Sequence, residues 1–372
     1  MEIYLDNAAT TRPLTQGAFE RHLQQTWYNP SAVYSQAEAV FKEIKKVRQL
    51  LLDSVRMQGT CVFTSGGTEA NNLALASLFR RGAHVIVSAI EHPSVYETCR
   101  QLEQNGVRVD YVKPRGFCIH AEDVAALVTP DTALVSVMHV NNETGAVSDI
   151  VGIGKAVKAK NPTTFFHSDG VQALLKTQVD LSSGYIDCYT VSAHKIHALK
   201  GTGALLVRQG VAVRPILFGG GQEQSLRAGT ENTLGILSFG EALESGLGVM
   251  DASIGHVRQL REAFIDGISG IDGLTVNIPD SAAPHIVSVS AEVVRGEVLA
   301  RVMGEKGVCI GTGAACSRGK LSRVLLECGV SRPLAEGTVR VSFSALNTMD
   351  EVAICLEGLK NAVTQLRRFA RK

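Results

Sequence analysis

The segment Ser192-Ala193-His194-Lys195 brings a hydroxyl, an imidazole and an amine together within four residues. It directly follows the apolar run 186–191, which is typical of a buried strand. A lysine at a strand end is a candidate Schiff-base lysine for a carbonyl cofactor, and the neighbouring Ser192 and His194 would then bind the anionic group of that cofactor. The alternative is a solvent-facing Lys195 in a turn between two strands. The residues that follow the other strands have to decide between the two.

Two further apolar runs are each followed by residues that could contact such a cofactor. After the run 61–64, two glycines and Thr68 open a predicted helix, whose free N-terminal amides would bind a phosphate close to Gly67. A plain helix cap formed by Thr68 is the alternative. After the run 84–88, His92 directly precedes a proline that begins a predicted helix over 93–104, so its ring could stack on a planar ligand or only cap the helix.

Two more apolar runs end in an amide pair and in a carboxylate. Asn141 and Asn142 follow the run 133–137, where they could fix a ligand oxygen or form an Asx turn. Asp169 follows the run 163–166, and a carboxylate beside so apolar a strand needs a cation, either a protonated pyridine nitrogen or a lysine or arginine. A phosphate cradle, an imidazole, an amide, a carboxylate and a lysine together match the parts of pyridoxal phosphate.

These strand ends belong to a regular alternation of apolar runs and helical patterns between about residues 60 and 210. Continuous apolar strands separated by helices indicate an α/β fold with a mostly parallel, seven-stranded sheet that is covered on both faces. Ligands of such sheets bind beyond the carboxyl ends of the strands. Later helical patterns and the short apolar runs 274–278, 286–290 and 338–343, which predict strands, indicate a smaller α+β domain. We expect a large domain over 15–245 and a small domain formed by 1–14 and 246–372.

The composition argues against several classes of function. The net charge of the 372-residue chain is only +1, which argues against direct binding of nucleic acid or an anionic membrane. The chain has no run of 18 or more apolar residues and no charged-then-apolar signal at its start, so we expect a cytoplasmic protein. Its eight cysteines include no CxxC pair, so neither the usual zinc spacing nor a small disulfide framework is expected.

Motifs along nearly the whole chain occur in the order that is typical of one family. They are Tyr4-Leu5-Asp6-Asn7-Ala8-Ala9-Thr10-Thr11, Thr64-Ser65-Gly66-Gly67-Thr68-Glu69-Ala70-Asn71-Asn72, Glu91-His92, Met138-His139-Val140-Asn141-Asn142-Glu143-Thr144-Gly145, the segment 169–172, Ser192-Ala193-His194-Lys195, Gly219-Gly220-Gly221-Gln222-Glu223, Arg227-Ala228-Gly229-Thr230 and Arg340-Val341-Ser342-Phe343. The sequence therefore resembles the cysteine desulfurases, within the class V aminotransferase group of fold-type I pyridoxal-phosphate enzymes. The resemblance implies the fold of those transferases and pyridoxal 5'-phosphate as the cofactor.

The resemblance implies a role for each residue that matches the cofactor-binding motifs. Lys195 would bind the cofactor aldehyde as a Schiff base, and Asp169 would pair with the pyridinium nitrogen. His92 would stack on the ring and take part in proton transfer, while Gln172 would contact the ring hydroxyl. The phosphate would be bound by Gly67, Thr68, Ser192 and His194. No metal is implied.

The same resemblance implies the substrate contacts and a second subunit. Asn142, which would also contact the cofactor, and Arg340 would hold the carboxylate of the substrate. For Arg340, a surface position at a strand edge is the alternative. Thr230 would complete the phosphate site of the neighbouring subunit, which implies a homodimer.

Cys316 is the residue that directs the resemblance to sulfur chemistry. It lies in the glycine-rich segment 311–320, where Arg318 and Lys320 would favour the thiolate. In the family, the cysteine of this loop attacks the substrate sulfur and carries a persulfide; a free surface cysteine is the alternative. The sequence departs from the family pattern at three positions, Tyr34, Ala37 and Ala314. These departures affect the expected sulfur acceptor and the loop but none of the cofactor ligands.

The function implied by the resemblance is that of a cysteine desulfurase, which converts L-cysteine to L-alanine and forms a persulfide on Cys316. The sulfur would pass to an acceptor protein, such as an iron–sulfur scaffold or a tRNA-thiolation enzyme. A selenocysteine lyase or another pyridoxal-phosphate-dependent C–S lyase is the nearest alternative, in which Cys316 would matter less. A non-catalytic sulfur-trafficking scaffold that keeps the fold is an alternative of a different class.

Overall fold

The computed structural model describes residues 2–77, 83–313 and 321–370, so Cys316 lies outside the described residues. Within them, the chain forms two β-sheets. The strands are β1 (Ile3–Leu5), β2 (Gly59–Thr64), β3 (His84–Ser88), β4 (Arg108–Val112), β5 (Thr132–Ser136), β6 (Phe165–Asp169), β7 (Cys188–Ser192), β8 (Gly203–Arg208), β9 (Leu274–Asn277), β10 (Ile286–Ala291), β11 (Val308–Thr312) and β12 (Thr338–Ser342).

Helices connect most of these strands. They are α1 (Gln16–Arg21), α2 (Ser35–Ser54), α3 (Gly67–Ala76), α4 (Pro93–Gln104), α5 (Ala121–Leu127), α6 (Ile150–Lys160), α7 (Thr233–Gly248), α8 (Met250–Ser269), α9 (Gly296–Glu305), α10 (Arg323–Glu327), α11 (Arg332–Glu336) and α12 (Met349–Ala370). A π-helical turn, His22–Thr26, follows α1, and the 3₁₀ turns Ala193–Lys195 and Gln222–Ser225 follow β7 and β8. No helix in the described part of the chain is both long and apolar enough to cross a membrane.

The large sheet has the strand order β2-β8-β7-β6-β5-β3-β4 within the described residues. Only β8 runs antiparallel to its neighbours β2 and β7, while the other adjacent pairs are parallel. Every residue of β3 and β7 is buried, as expected for strands that are covered by helices on both faces. The predicted α/β fold with a mostly parallel, seven-stranded sheet is confirmed.

The small sheet has the order β1-β11-β12-β10-β9 and its own apolar core, to which α8, α9 and α12 contribute. Its first strand comes from the very start of the chain, because β1 pairs in parallel with β11. The sequence patterns predict β9, β10 and β12 but neither β1 nor β11. The domain limits of 15–245 for the large domain, and of 1–14 with 246–372 for the small domain, remain a prediction.

Candidate active site

A cavity of about 350 Å³ lies beyond the carboxyl ends of β2, β3, β5, β6 and β7. Ten of the residues predicted from the sequence line it, namely Gly67, Thr68, His92, Asn142, Asp169, Gln172, Ser192, His194, Lys195 and Arg340. Two predicted residues do not: Thr230 lies elsewhere, and Cys316 falls outside the described residues. The polar residues that follow separate strands therefore converge on one site, as the parallel sheet requires.

Lys195 is held at the wall of this cavity by the start of the chain. It ends the short 3₁₀ turn that follows β7, and its Nζ donates hydrogen bonds to the Ala8 carbonyl at 2.6 Å and the Ala9 carbonyl at 2.7 Å. Two carbonyl acceptors fix the position of the amine without neutralising it. The lysine thus faces the cavity together with Asp169 and His92, and it does not point out from a turn.

Asp169 is a buried carboxylate that faces the cavity from the end of β6. Its side chain accepts hydrogen bonds from Asn71 Nδ2 at 2.7 Å and from the Val171 amide at 3.0 Å, and the residue is 4% exposed. No lysine or arginine in the described ranges forms an ion pair with it, whereas the buried carboxylates of Asp187 and Glu223 have such partners. A buried charge is costly without a counter-charge, so the site favours a ligand with a cationic group at this point.

His92 is the N-cap residue of α4, and its ring lines the cavity. Its Nδ1 accepts a hydrogen bond from the Ser94 amide at 3.1 Å and lies 2.8 Å from Ser94 Oγ. A neutral imidazole that accepts at Nδ1 carries its proton on Nε2. Burial lowers the pKa of His92, as do the positive charges of Lys195 and Arg323, against the opposing effect of Asp169. The ring is therefore neutral at neutral pH and presents an N–H group at Nε2.

The opposite end of the cavity is built to receive an anion. Helix α3 begins at Gly67, so its first amides are free of intrahelical partners. A Cβ on Gly67 would lie 3.0 Å from the side chain of Val171, which explains the need for glycine at this wall. Ser192 Oγ is buried and has no hydrogen-bond partner within the described residues. Burial lowers the pKa of His194 to about 4, so this ring is a neutral hydrogen-bonding group.

Arg340 reaches the cavity from β12 of the small sheet, so both sheets form the site. It is 1% exposed and therefore does not lie at a surface strand edge. Its guanidinium donates to the Asn142 carbonyl at 2.7 Å and pairs with Asp6 at 2.8 Å. Its Nε is buried and has no partner among the described residues, so the group retains a donor for an incoming carboxylate.

Asn141 and Asn142, in the connection between β5 and α6, differ in position: one forms an Asx turn and the other lines the cavity. The Asn141 side chain accepts hydrogen bonds from the Glu143 and Thr144 amides, each at 2.9 Å, which is an Asx turn. Asn142 lines the cavity, and its carbonyl holds Arg340. Gln172, on the segment after β6, donates from Nε2 to the Ala8 carbonyl at 2.8 Å.

Sequence reasoning missed Asn71 and Ser94, which line the cavity between Asp169 and His92. Neither follows a strand directly, because each lies inside the helix that starts there. A usable signal was present: Asn71 lies four residues after Gly67 and so shares its helix face, and Ser94 lies two residues after His92.

Thr230 lies on the exposed surface and lines a separate hollow of about 160 Å³ with Ser65 and Arg227. An ion pair of 2.8 Å between Arg227 and Glu69 ties its segment to the first turn of α3. Thr230 thus lies in a segment that contacts the start of α3, but it does not face the cavity of its own chain.

Comparisons with known proteins agree with this site. The model of the class V aminotransferase family matches residues 3–354. Cysteine desulfurase IscS of Dictyoglomus turgidum is 34% identical over 383 aligned residues, which cover 99% of this chain and 96% of that relative. The chain belongs to the cysteine desulfurase family. Cysteine desulfurase IscS of Methanosarcina thermophila is 33% identical, with 99% of this chain and 93% of that relative covered.

Solved structures of cysteine desulfurase family members and related proteins share the fold. A NifS-like protein superposes with a TM-score of 0.92 at 30% identity, covering 98% of this chain and 100% of the other. The structure named SspA in complex with cysteine gives a TM-score of 0.79 at 31% identity, covering 94% and 100% of the two chains. The cofactor of the family is pyridoxal phosphate.

The cavity fits that cofactor at both ends. The unpartnered Ser192 hydroxyl and the first turn of α3 suit a phosphate, and Asp169, which lacks a cationic partner within the described residues, suits a protonated ring nitrogen. Lys195 lies on the same wall and would hold the aldehyde. The described residues contain no cluster of histidine, cysteine, aspartate or glutamate that could hold a metal ion.

Proposed function

We propose that this cysteine desulfurase acts on L-cysteine, produces L-alanine and places the released sulfur on Cys316 as a persulfide. The observation that carries the proposal is the buried carboxylate of Asp169 in the same cavity as Lys195, His92 and Arg340. A structural neighbour solved in complex with cysteine supports the substrate. The position of Cys316 in the segment 311–320 supports its role as the sulfur-accepting thiol.

The residues of the cavity divide the work as follows. When bound, pyridoxal phosphate supplies an electron-withdrawing ring that stabilises negative charge at the substrate Cα. Asp169 would keep the ring nitrogen protonated, and Arg340 would orient the substrate through its carboxylate. The resting tautomer of His92 already carries its proton on Nε2, so Lys195 is the group that takes the Cα proton. His92 serves as a hydrogen-bond donor and acid.

In the sulfur step the thiolate of Cys316 is the nucleophile, and the bound cofactor would stabilise the negative charge left on the substrate. The thiolate attacks the substrate sulfur, so an S–S bond forms and the bond between sulfur and the substrate Cβ breaks. The electron pair of the broken bond remains with the carbon, which takes up a proton and leaves as L-alanine. The products are therefore one L-alanine and one Cys316 persulfide for each L-cysteine.

An alanine assay with L-cysteine tests the function. Wild-type protein loaded with cofactor should form alanine and a protein persulfide, and Cys316→Ala should lose both by at least about a hundredfold while it keeps the visible band of the cofactor. Cys309→Ala is the matched control, because Cys309 is a free, partly exposed thiol in β11 and should be dispensable. Absence of alanine formation in the wild type would refute the proposal. Full activity of Cys316→Ala would favour a selenocysteine lyase or another C–S lyase.

We propose further that two copies of the chain form the active unit, with Thr230 of each chain completing the phosphate site of the other. The first part of the chain exposes several large apolar side chains, which are Leu14, Phe19, Leu23, Trp27, Val33, Tyr34 and Phe41. Exposed apolar patches of this kind are typical of protein interfaces. Thr230 is itself exposed and faces away from its own cavity, which leaves it available to a partner.

A mixing experiment distinguishes a shared site from two independent ones. Lys195→Ala and Thr230→Val are each expected to be inactive or weak. In a mixed dimer, one site would combine Lys195 from the second variant with Thr230 from the first, and activity would return. If Thr230 served its own chain, no mixture would recover activity. Sedimentation of the wild type should show a dimer.

We propose that the persulfide is delivered in the cytoplasm to an acceptor protein, such as an iron–sulfur scaffold or a tRNA-thiolation enzyme, and that nucleic acid is not bound directly. All seven cysteines in the described ranges are free thiols, which suits a reducing compartment. Radiolabelled sulfur from L-cysteine should move from Cys316 to one of these acceptors. Retention of the label on Cys316 in the presence of both an iron–sulfur scaffold and a tRNA-thiolation enzyme would contradict the proposed sulfur transfer.

A further inference from the structure

A chain of hydrogen bonds connects Asp169 to His92 along one wall of the cavity. Asn71 Nδ2 donates to Asp169 Oδ2 at 2.7 Å and to Ser94 Oγ at 2.8 Å. Ser94 Oγ in turn lies 2.8 Å from His92 Nδ1. Asn71 is 1% exposed and Ser94 is 9% exposed, so neither depends on solvent for its partners. The four side chains link β6, α3 and α4.

The charge of Asp169 determines the direction of these bonds. A carboxylate can only accept, so Asn71 must present its NH₂ group to Asp169, and the second hydrogen of that group points to Ser94 Oγ. The Ser94 hydroxyl keeps its own proton to donate to His92 Nδ1. Asn71 Oδ1 is left buried and without a partner within the described residues. An amide that donates twice while its oxygen remains unpaired is an uncommon arrangement that requires an explanation.

We propose that Asn71 and Ser94 are positioning residues that hold the Asp169 carboxylate and the His92 ring in one fixed arrangement. Asn71 acts on both ends of the connection, whereas Ser94 acts only on His92. The kinetic consequences rest on the proposed function, but the hydrogen bonds to His92 can be followed without it. Loss of the Ser94 hydroxyl should therefore change the position of the His92 ring alone, whereas loss of the Asn71 amide should change the positions of both His92 and the Asp169 carboxylate.

The ring nitrogens of His92 report this arrangement directly. Nitrogen NMR of protein with isotope-labelled histidine, with and without cofactor, can be assigned by comparison with His92→Gln. We expect the Nδ1 resonance of a hydrogen-bonded, unprotonated nitrogen and the Nε2 resonance of a protonated one. Ser94→Ala and Asn71→Leu should each move the Nδ1 resonance, and Ser94→Thr, which keeps the hydroxyl, should restore it.

Kinetics and cofactor binding distinguish positioning from a general loss of structure. Ser94→Ala should lower kcat by about five- to tenfold, as expected for the loss of one hydrogen bond, with unchanged affinity for pyridoxal phosphate. Asn71→Leu should lower both kcat and the affinity for pyridoxal phosphate, because Asp169 also loses its side-chain donor. Asn72→Ala is the matched control, since the Asn72 side chain donates to the Thr68 carbonyl, accepts from Thr98 Oγ1 of α4 and does not line the cavity.

Two results would overturn the proposal. One is a Ser94→Ala variant whose His92 resonances stay at their wild-type positions. The other is a Ser94→Ala variant that loses as much cofactor affinity as Asn71→Leu. A failure of the proposed function would look different, because the wild type would form no alanine while the changes in the His92 resonances remained; the positioning of His92 would then still stand.

Discussion

Asp169 and Asp187 are buried carboxylates at opposite ends of two neighbouring parallel strands, the carboxyl end of β6 and the amino end of β7. Asp187 directly precedes β7, is 1% exposed and is paired with Lys158 at 2.5 Å and Arg208 at 2.6 Å. It also accepts a hydrogen bond from the Phe166 amide at 2.8 Å. Asp169 ends β6 and, in the described part of the chain, has only the uncharged donors Asn71 and Val171.

The difference shows how one residue type serves two purposes in the same sheet. The charge of Asp187 is balanced by cations that belong to the protein, so this carboxylate needs no ligand once the chain has folded. Under the proposed function, the charge of Asp169 would be balanced by the ring nitrogen of a bound cofactor. Of these two buried carboxylates, the one without a cation from the protein is the one that lines the cavity.

The largest expected effect is the loss of activity in Asp169→Asn. The variant keeps the shape of the side chain but has no charge for the ring nitrogen, so alanine formation should fall by about two to three orders of magnitude. Removal of an unbalanced buried charge should leave the free energy of unfolding of the cofactor-free protein within about 1 kcal/mol of the wild type. Urea denaturation and the alanine assay check the two parts; unfolding of the variant at low urea would contradict the assignment.

Asp187→Asn should have the opposite profile. It leaves the cations of Lys158 and Arg208 without a counter-charge at a mostly buried position, so the free energy of unfolding should fall by about 3 kcal/mol. Cofactor binding below the unfolding transition should be unchanged, because Asp187 lies at the amino end of β7, away from the cavity at the carboxyl ends of the strands. Urea denaturation and a cofactor titration measure the two quantities. Weaker cofactor binding by a folded Asp187→Asn protein would contradict the distinction drawn between Asp187 and Asp169.

The acid sensitivity of the fold should depend in part on His167, which lies in β6 two residues before Asp169. Burial lowers the pKa of His167 to about 4, with Asp169 opposing, so the folded state keeps the ring neutral while the unfolded chain binds a proton. The contribution of the neutral His167 ring to the free energy of unfolding is therefore fully present above the pKa of the unfolded chain and is lost as the pH falls toward 4. Between pH 6.5 and pH 5 this histidine should account for about 2 kcal/mol.

The contribution of His167 can be isolated by substitution. Urea denaturation of His167→Gln from pH 8 to pH 5 should show a shallower loss of stability with falling pH than the wild type. His120→Gln, at a partly exposed position, serves as the control. Parallel pH dependences for His167→Gln and the wild type would contradict the assignment.

The smallest expected effect is that of Lys158→Met, which removes one of the two cations of Asp187. Because Arg208 still pairs with the carboxylate through two hydrogen bonds, the free energy of unfolding should fall by only about 1 kcal/mol. Chemical denaturation measures the change. A loss as large as that of Asp187→Asn would mean that Arg208 does not balance the carboxylate by itself.

The sequence predicts the large sheet well because each strand is a short apolar run that ends in polar residues. The carboxyl ends of parallel strands meet on one side of the sheet, so the strand ends alone predict that His92, Asp169 and Lys195 line one cavity. The positions of Gln172 and Arg340 follow only from the family resemblance. Helix α4 has the predicted bounds because the proline at its start and the apolar spacing are local signals.

What could not be predicted depends on contacts between distant parts of the chain. Strand β1 is only three residues long, and it pairs with β11 more than three hundred residues later. The roles of Asn71 and Ser94 require that α3 and α4 lie side by side, and the pairing of Asp187 requires cations from α6 and β8. Local patterns contain none of these distances.

The pairing of the first strand with β11 also sets the order in which a growing chain can complete its parts. The strands of the large sheet have all been synthesised by Arg208, whereas Ile3–Leu5 must wait for Val308–Thr312 before it has a partner. The Ala8 and Ala9 carbonyls that hold Lys195 are attached to that waiting strand. Arg340 is made later still. The cavity can therefore be completed only after the partner strand of β1 and Arg340 have been synthesised.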